Sequence, residues 1–469
     1  MGCGASHSVR VDGPPMSAIQ PFVIVQSTLP SPPPEYELAA DYPVQIYPTA
    51  DERPPAARLS QASLEDAKAG PAELGGPCLE PLHDHPIQFI HNVGKGKKSD
   101  WVVTDASAEI LRTILSPVVV ATVVGTYRYG KSFLMNQLAG RQSGFELGPT
   151  IEGKTRGIWL WAFREATGMK RVILFLDSEG LADVKHSSPE YSMQLFTIGL
   201  LLSSCLVMNT MGSTINTDDL AKLSFVTKLS DHVKVSADSG SGGALEQHLP
   251  SLFWVLRDAF LTMEDSKHNL LTEDQMLERV LRCTGDENET LDRTRKTIRN
   301  AFKKRTLRRL PPPANGKGLL DIETKKWLEL PSLWRSAMSE LRTDFFDFVT
   351  TKTLNSAAEG TDAIAITGSE LLLLTQTYLK VINDGKTPAI QDAWQSISHR
   401  SCESAVNEAL KSYTDNMDHY LVPAMPVTRE DLLELHNAYA ALAVKIFNEV
   451  AIGPLSSEYL KKIQVRNSG

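Results

Sequence analysis

The sequence predicts an α/β domain with a mixed, mostly parallel sheet and helices on both faces, followed by a short all-α helical domain. Three observations predict this architecture. Apolar strand-like runs alternate with helical patterns from about residue 88 to 310, and a phosphate-loop pattern follows a long β-branched run. Only helical patterns appear after about residue 320. We therefore divide the 469-residue chain into a disordered tail at 1–85, an α/β domain at 86–320 and a helical domain at 321–469.

The predicted strands are short and strongly apolar. The run VVVATVVG is continuous and β-branched, as in a buried parallel strand, and it ends in a glycine. The predicted strands span residues 118–125, 158–163, 171–180, 205–210 and 251–258. Helical patterns span residues 131–140 and 191–204, and later 330–354, 371–383 and 431–451. In an open α/β sheet of this kind, a ligand is expected at the carboxyl ends of the strands.

Composition limits the classes of function. The apolar content of 42% is typical of a globular protein, and the net charge is −8. No apolar run reaches the roughly 18 residues that a membrane-spanning helix needs. Five cysteines without a C-x-x-C pair argue against a disulfide framework or a zinc site and favour a reducing cytosol. The sequence therefore predicts a cytoplasmic protein.

The first 85 residues are predicted to be disordered. Fifteen of the 27 prolines lie in the first 86 residues, and residues 1–85 carry four basic against eleven acidic side chains. Such a segment buries too little apolar surface to offset its ordering entropy. Its PPEY stretch, Pro33 to Tyr36, matches a ligand of WW domains, and a plain proline-rich linker is the alternative.

The amino terminus MGCGAS carries an acylation pattern. Gly2 with Ser6 fits the N-myristoylation pattern M-G-x-x-x-[ST]. Because one myristoyl chain binds membranes only marginally and the tail is acidic, Cys3 is the expected second anchor, as an S-palmitoyl site. A chance match at the start of a disordered tail is the alternative. The hypothesis is a peripheral protein at the cytoplasmic face of membranes.

The stretch GTYRYGKS, residues 125–132, is a phosphate-binding loop between a strand and a helix. Gly125 and Gly130 allow the loop backbone to direct its N–H groups onto phosphate, in front of a helix N-terminus. Lys131 is expected to reach the phosphates, and Ser132 to offer a hydroxyl to Mg²⁺. The pattern predicts binding of a nucleoside triphosphate.

A second motif completes the predicted metal site. In LFLDSEG, Asp177 stands at a strand end, where its carboxylate can hold Mg²⁺ through water, and Gly180 can place its N–H near the γ-phosphate. Thr155, in the intervening EGKTRG, is placed to complete the metal ligands, unless it is an ordinary loop threonine. The expected metal ligands are therefore Ser132, Thr155 and Asp177.

The base-reading residue is predicted from its chemistry. The chain lacks an N-K-x-D motif, but VLRD places Asp258 at the end of a strand. A carboxylate can accept hydrogen bonds from both N1–H and N2–H of guanine, and adenine has no such pair of donors. Asp258 therefore favours guanine.

These motifs together resemble guanylate-binding proteins, which are atlastin-related large GTPases of the dynamin superfamily. The resemblance covers roughly residues 88–420 with its motifs in order: GTYRYGKSFLMNQLAG, ELGPTIEGKTRGIWLWAF, LFLDSEGLADV, NTMGSTIN, WVLRD and YLKVINDGKTPAIQDAWQSI. It implies a P-loop GTPase fold that binds GTP and Mg²⁺. It also implies a homodimer through the GTPase domain.

The resemblance implies a role for the arginine inside the loop. Arg128 would act as an arginine finger in cis upon dimerisation, with a solvated loop charge as the alternative. Glu179 would organise the attacking water, so the expected catalytic residues are Arg128, Lys131, Thr155 and Glu179. Arg257 would read guanine together with Asp258. The expected nucleotide contacts are Gly125, Tyr127, Arg128, Tyr129, Gly130, Lys131, Ser132, Phe133, Asp177, Gly180, Arg257 and Asp258.

Two departures from the family leave a second function open. Gly153 stands where the family usually has a hydroxyl near the attacking water, which suggests slower hydrolysis. The helical part is shorter than expected, and the chain ends without a C-a-a-X box, so membrane attachment would have moved to the N-terminus. The main hypothesis is a membrane-attached GTPase, with cleavage of GDP to GMP left open. The alternative is a GTP-dependent scaffold with little turnover that recruits partners through its tail.

The run RTRKTIRNAFKKRTLRRL, residues 293–310, holds nine basic side chains. It could contact phosphates of nucleic acid or anionic lipid. The favoured interpretation is the solvated face of a helix, so no nucleic-acid partner is expected.

Overall fold

The computed structural model describes most of the chain beyond the tail. The described residues are 74–94, 100–126, 129–146, 157–166, 171–178, 189–222, 249–259, 261–264, 267–283, 289–314, 316–319, 321–322, 324–353, 365–424, 426–451 and 455–466. They all fall within one unit of the chain, residues 60–469. Among them, no helix is long and apolar enough to cross a membrane.

Nine strands form one sheet in the described part of the chain. They are β1 (Leu79–Pro81), β2 (Ile87–Asn92), β3 (Trp101–Val103), β4 (Val118–Gly125), β5 (Ile158–Glu165), β6 (Val172–Ser178), β7 (Cys205–Met211), β8 (Ser251–Arg257) and β9 (Arg305–Leu310). The order is β3-β2-β5-β6-β4-β7-β8-β9, and β1 pairs with β5. Five of the nine strands, from β6 to β9 in this order, are parallel to their neighbours in that group. The remaining four, β1 to β3 with β5, join in antiparallel pairs, and β5 joins β6 in the same way. The predicted mixed, mostly parallel sheet is confirmed.

Helices separate and follow these strands. They are α1 (Asp105–Thr113), α2 (Lys131–Leu138), α3 (Pro189–Leu202), α4 (Thr217–Lys222), α5 (Glu273–Val280), α6 (Glu289–Ala301), α7 (Ser332–Phe348), α8 (Gly368–Asn383), α9 (Ile390–Ala424), α10 (Arg429–Val450) and α11 (Ser456–Arg466). Short 3₁₀ turns lie at Gly316–Leu319 and Trp327–Glu329. Side-chain caps fix several starts, as at α5, where Thr272 and Gln275 bond reciprocally to each other's backbone N–H.

The sheet is buried on both faces, as its continuous apolar strands predict. In β4, Val118, Val120 and Val124 point into one hydrophobic cluster. Val119 and its alternate neighbours Ala121 and Val123 point into the other. This alternation follows from the two-residue period of a strand. The predicted helices on both faces are confirmed, because α1, α3 and α8 pack in the first cluster and α2 and α7 in the second.

The helices beyond residue 320 do not all stand apart from the sheet. Phe345 of α7 and Tyr378 of α8 lie in the two clusters that cover it. A separate small cluster joins α9 to α10 through Ala405, Ala409 and Phe447. The all-helical region thus begins as cover for the sheet and continues as a helix pair.

The basic run differs from its favoured interpretation. It forms α6 only as far as Ala301, and Arg305–Leu310 form β9, which is parallel to β8 at the edge of the sheet. The arginines of β9 meet carboxylates: Arg305 bonds Glu278 through two nitrogens at 2.6 and 2.8 Å, and Arg309 bonds Glu273 at 3.2 Å. The expectation of a solvated helix face holds for α6, where the basic residues Arg293, Lys296 and Arg299 are exposed. It was wrong for β9, whose arginines pair with acids of α5 and α7.

The segment from Leu74 to β1 lies within residues 1–85, which were predicted as the tail, and it contacts α7 before it joins the sheet. Arg342, 3% exposed, donates from Nη1 to the carbonyl oxygens of Leu74, at 3.2 Å, and Gly75. Its Nε donates to the carbonyl oxygen of Leu138, the last residue of α2, at 3.0 Å. β1 then pairs with β5. One buried guanidinium therefore joins the entering chain to the end of α2.

Lys352 marks the connection between α7 and α8. Its side chain is buried, and its Nζ donates to the carbonyl oxygens of Leu201 and Ser203, both at 2.9 Å, at the end of α3. Its backbone N–H donates to Val118 at the start of β4 at 2.8 Å. Burial lowers the pKa of Lys352 to about 8.

Candidate functional site

The carboxyl ends of four parallel strands bring together side chains that are far apart in sequence. Val123 of β4 is level with Asp177 of β6. Gly125 of β4 is level with Asn209 of β7, and Met211 of β7 is level with Arg257 of β8. Polar groups therefore meet along the edge at which such sheets place their ligands.

The two glycines of the phosphate loop stand where other residues would not fit. Gly125 has φ +149°, and a Cβ there would lie 2.2 Å from the carbonyl oxygen of Asn209. Gly130, at φ +65°, precedes α2, and a Cβ there would lie 2.1 Å from Nη1 of Arg257. Both positions need the backbone freedom of glycine as well as the missing side chain. The loop therefore turns in direct contact with the neighbouring strands.

The first turn of α2 carries the polar groups of the site. Ser132 Oγ donates to Asp177 Oδ2 at 2.6 Å, which joins the start of α2 to the end of β6. Lys131 is 7% exposed, and its Nζ donates to the carbonyl oxygen of Thr126 at 3.4 Å. These groups stand at a helix N-terminus, which favours negative charge. The arrangement suits an anion with a cation at its side.

The carboxyl group of Asp177 lies in a place that disfavours its charged form. Its side chain is 1% exposed, and burial raises its pKa above the usual value, although Lys131 and the Ser132 hydroxyl lower it. Within the described residues, Asp177 Oδ1 is buried without a hydrogen-bond partner. A buried carboxylate oxygen without a donor fits a bound cation, because carboxylate and hydroxyl oxygens are ligands that Mg²⁺ uses. Ser132 and Asp177 therefore fit the predicted magnesium site.

Arg257 and Asp258 occupy different environments. The Nη1 of Arg257 donates to the carbonyl oxygen of Gly130 at 3.1 Å, so its guanidinium contacts the phosphate loop. Burial lowers the pKa of Arg257, whereas the carboxylate of Asp258, 3.9 Å from Nη2, raises it. Asp258 has φ +58°, a left-handed conformation that is uncommon outside glycine, and its side chain is 28% exposed. The more accessible of the two charged groups is therefore the carboxylate.

Phe133 and Tyr129, two residues predicted to contact nucleotide, make different contacts in the structure. The Phe133 ring lies in the hydrophobic cluster below α2, 5.8 Å from the Trp334 ring of α7. Its side chain therefore packs α2 onto α7, and a contact with nucleotide would have to come from its backbone. The carbonyl oxygen of Tyr129, in contrast, accepts a hydrogen bond from Asn209 Nδ2 at 2.7 Å within the loop.

Several predicted residues lie outside the described part of the chain. They are Tyr127, Arg128, Thr155, Glu179 and Gly180, together with Gly2, Cys3 and the stretch Pro33 to Tyr36. Gly153 also lies outside it.

Sequence reasoning missed two residues that support the site. Asn209 is 0% exposed and holds the phosphate loop through Tyr129. Ser178 Oγ donates to the carbonyl oxygen of Val123 at 2.8 Å, and so ties β6 to β4 beside Asp177. Asn209 had one visible signal: it is a polar residue near the end of a strand that is mostly apolar.

Comparison with known proteins gives the family. The family model for the guanylate-binding protein N-terminal domain matches residues 98–354, and the model for the C-terminal domain matches residues 362–467. Guanylate-binding protein 7 of Homo sapiens is 32% identical over 376 residues, which cover 78% of this chain and 57% of the relative. Guanylate-binding protein 6 of Homo sapiens is 33% identical over 387 residues, covering 80% and 59%. Guanylate-binding protein 2 of Rattus norvegicus is 33% identical over 371 residues, covering 77% and 61%.

The chain thus matches about three fifths of the length of these curated relatives, 57 to 61%. Among solved structures, Toc33 from Arabidopsis thaliana matches with a TM-score of 0.29 and 16% identity, covering 53% of this chain and 88% of that chain. A superposition this weak adds nothing to the assignment. The two family models and the relatives over about four fifths of the sequence agree with the resemblance of the motifs, and the chain belongs to the guanylate-binding protein family.

Proposed function

We propose that this chain binds guanine nucleotides with Mg²⁺ and hydrolyses GTP. The observation that carries the proposal is the contact of Ser132 with Asp177, at the start of the phosphate-loop helix. The buried Oδ1 of Asp177 faces no hydrogen-bond donor within the described residues, and Lys131 stands nearby. These groups fit a phosphate with its metal ion better than they fit any role in packing.

The loop residues would divide the work of holding the triphosphate. The backbone N–H groups before α2 and the N-terminus of that helix would bind the phosphate oxygens. Lys131 would add a positive charge that is largely out of water. Solvent screens such a charge less, so it would attract the phosphates more strongly. Ser132 and Asp177, with Thr155, would hold the metal ion. When bound, Mg²⁺ neutralises charge on the phosphate oxygens.

The base would be recognised by Asp258. Its left-handed backbone turns the carboxylate off the strand end, and its side chain keeps some exposure. A carboxylate can accept the two donors of guanine. Asp258→Asn would remove this preference and favour xanthine nucleotides, since the amide can donate to the xanthine O2.

Catalysis would depend on residues that the family resemblance supplies. Arg128 would place its guanidinium on the transition-state charge when two GTPase domains meet, and Glu179 would organise water. Such fingers contribute about 10³–10⁵ in rate. The homodimer through the GTPase domain is part of the same proposal.

Membrane association would come from the N-terminus. Gly2 and Cys3 fit dual acylation, which would make the protein peripheral at the cytoplasmic face of a membrane. Gly2→Ala with Cys3→Ser should move the protein out of the membrane fraction. An unchanged membrane fraction would remove this part of the proposal.

The direct test measures GTP turnover against protein concentration, with GDP and GMP resolved as products. Wild type, Arg128→Ala and Arg164→Ala are compared, because Arg164 is an exposed arginine of the same domain, on β5. We expect specific activity to rise with concentration in wild type and the Arg164 variant, and to fall by at least about 10³-fold in the Arg128 variant. Tight GTP binding with slow turnover that does not depend on Arg128 would favour the scaffold instead. Absence of nucleotide binding would refute the proposal.

A further inference from the structure

Two side chains from neighbouring strands hold consecutive peptide groups of the phosphate loop. Asn209, near the end of β7, donates from Nδ2 to the carbonyl oxygen of Tyr129 at 2.7 Å. Arg257, at the end of β8, donates from Nη1 to the carbonyl oxygen of Gly130 at 3.1 Å. Both side chains come from parallel strands that pair with each other. The loop is therefore fixed from the sheet side at two successive carbonyls.

Fixing a carbonyl also fixes the N–H on the other side of the same peptide. A peptide group is planar and trans, so its C=O and N–H point in opposite directions. The bond from Asn209 to Tyr129 O therefore turns the N–H of Gly130 away from β7. The carbonyl oxygen of Gly130 accepts from Arg257 and also from the N–H of Leu134, at 3.0 Å, in the first turn of α2. The peptide that carries the N–H of Lys131 is therefore held by the helix as well as by Arg257. Successive N–H groups of this kind form an anion-binding concavity.

Asn209 has little freedom to do anything else. It is 0% exposed, and β7 is paired on one side with β4 and on the other with β8. Its own carbonyl oxygen faces Gly125 so closely that a Cβ there would lie at 2.2 Å. The amide is thus held at a fixed distance from the loop by the sheet itself.

Packing alone does not account for an asparagine here. Among the described residues, its Oδ1 is buried without a hydrogen-bond partner, which costs stability rather than adding it. The flanking strand residues Val207 and Met208 are apolar and fully buried. An apolar residue would serve the packing of this strand at least as well, so the specific contribution of the amide is its bond to Tyr129.

We propose that Asn209 is a positioning residue for the β-phosphate of the bound nucleotide. It acts through the peptide between Tyr129 and Gly130. This inference rests on the proposed function, because it assumes a guanine nucleotide at the loop. It goes further by giving a structural asparagine a specific effect on diphosphate recognition.

The inference predicts a selective loss of affinity for GDP over GMP, which general destabilisation of the protein would not produce. GDP offers a β-phosphate to the oriented N–H groups, whereas GMP does not. Loss of the Asn209 donor should therefore weaken GDP binding and leave GMP binding unchanged. The quantity to measure is the ratio of the GMP and GDP dissociation constants.

The experiment compares wild type, Asn209→Leu and Asn136→Leu by titration calorimetry with GDP and GMP, on the full-length chain. Asn136 is a matched control: it is also 0% exposed, and among the residues that the structure describes its amide bonds only the backbone of Phe145, at 3.0 and 2.8 Å, outside the loop. We expect the ratio to fall about three- to tenfold in the Asn209 variant, the size of one lost hydrogen bond, and to stay at the wild-type value in the Asn136 variant. Thermal melting shows whether both variants are equally destabilised.

A second variant keeps the test decisive if Asn209→Leu does not fold. Asn209→Ala removes the same donor without placing a larger apolar side chain against the loop, so it should lower the same ratio. An unchanged ratio in either folded Asn209 variant would overturn the inference while leaving the proposed function intact. Wild type that binds neither GDP nor GMP would instead refute the proposed function itself.

Discussion

The Nε of Arg342, in the middle of α7, donates a hydrogen bond across 3.0 Å to the carbonyl oxygen of Leu138, the last residue of the phosphate-loop helix. The same guanidinium bonds the carbonyl oxygens of Leu74, Gly75 and Pro77. Burial lowers the pKa of Arg342 to about 10. A buried cation thus stabilises the C-terminal end of α2 and fixes the chain that enters the sheet.

Arg342→Met should lower the free energy of unfolding by about 2–4 kcal/mol, because four backbone carbonyls lose their donor together. Urea denaturation measures this change. Arg293→Met, at an exposed position of α6, is the control and should stay within about 0.5 kcal/mol of wild type. Equal effects of the two substitutions would contradict the role given to Arg342.

Asp177→Asn should separate function from stability. Because burial raises the pKa of Asp177, ionisation of this carboxyl group destabilises the folded protein. The destabilisation is absent well below the usual pKa, grows as pH rises from the usual pKa to the raised pKa, and is complete above it. The neutral amide removes that destabilisation. Without nucleotide and metal at pH 7, the variant should melt about 1 °C higher for each kcal/mol gained, and the difference should vanish toward pH 4.

The same variant should lose the Mg²⁺-dependent part of nucleotide binding, measured as the change in GDP affinity on adding EDTA. Asp415→Asn, at an exposed position of α9, is the control for both measurements and should change neither. A lower melting temperature of Asp177→Asn at pH 7 would show that Lys131 and Ser132 outweigh the burial of the carboxylate.

Lys352 should give the protein a stability that rises with pH. Its pKa is lowered by burial from 10.5 to about 8, so between these values the unfolded chain binds more protons at this site than the folded chain does. Folding is therefore favoured increasingly as pH rises from 8 to 10.5, by at most about 3 kcal/mol. The measurement is the difference in free energy of unfolding between wild type and Lys352→Met at several pH values. A difference in free energy of unfolding that does not change with pH would mean that the pKa of Lys352 is not lowered by burial.

Gly125→Ala should be far more damaging than Gly385→Ala. Both glycines have positive φ, +149° and +69°, but only Gly125 faces an atom where the Cβ would lie, the Asn209 oxygen at 2.2 Å. Gly385 has nothing within 4 Å of that point, so alanine there should cost about 1 kcal/mol, from backbone strain alone. We expect Gly125→Ala to cost at least about 3 kcal/mol or to prevent folding, as read by urea denaturation. Similar costs at both positions would mean that β4 and β7 can move apart.

Sequence predicted most of the framework, because its signals are local. β4 shows its burial as an unbroken β-branched run, and α2 begins at the lysine that ends the G-x-x-x-x-G-K pattern. The pairing of Ser132 with Asp177 was also implied, since both motifs end parallel strands or begin helices at one edge. Such features depend on neighbours in the chain and on the period of the element.

The missed features depend on partners that sequence does not place. Strand β9 was not predicted, because its sequence is rich in arginine. Glu273 and Glu278 of α5 lie opposite these arginines and pair with their charges. The Arg257 side chain contacts the carbonyl oxygen of Gly130 in the phosphate loop, a contact between residues that are far apart in sequence. Phe133 follows the loop in sequence, yet its ring faces Trp334 on another helix. Contacts across such separations need the folded structure.

The entry of the chain over α7 also defines a mechanical path. A pull on the residues ahead of Leu74 would strain the bonds to Arg342 before it reached β1, since Leu74 and Gly75 come first along the chain. The other hydrogen bond of that guanidinium ends on Leu138, so the tension would continue into the helix whose opposite end is Lys131. A pull on the chain ahead of Leu74 would therefore load the end of the phosphate-loop helix at Leu138, through Arg342, as well as the edge of the sheet at β1.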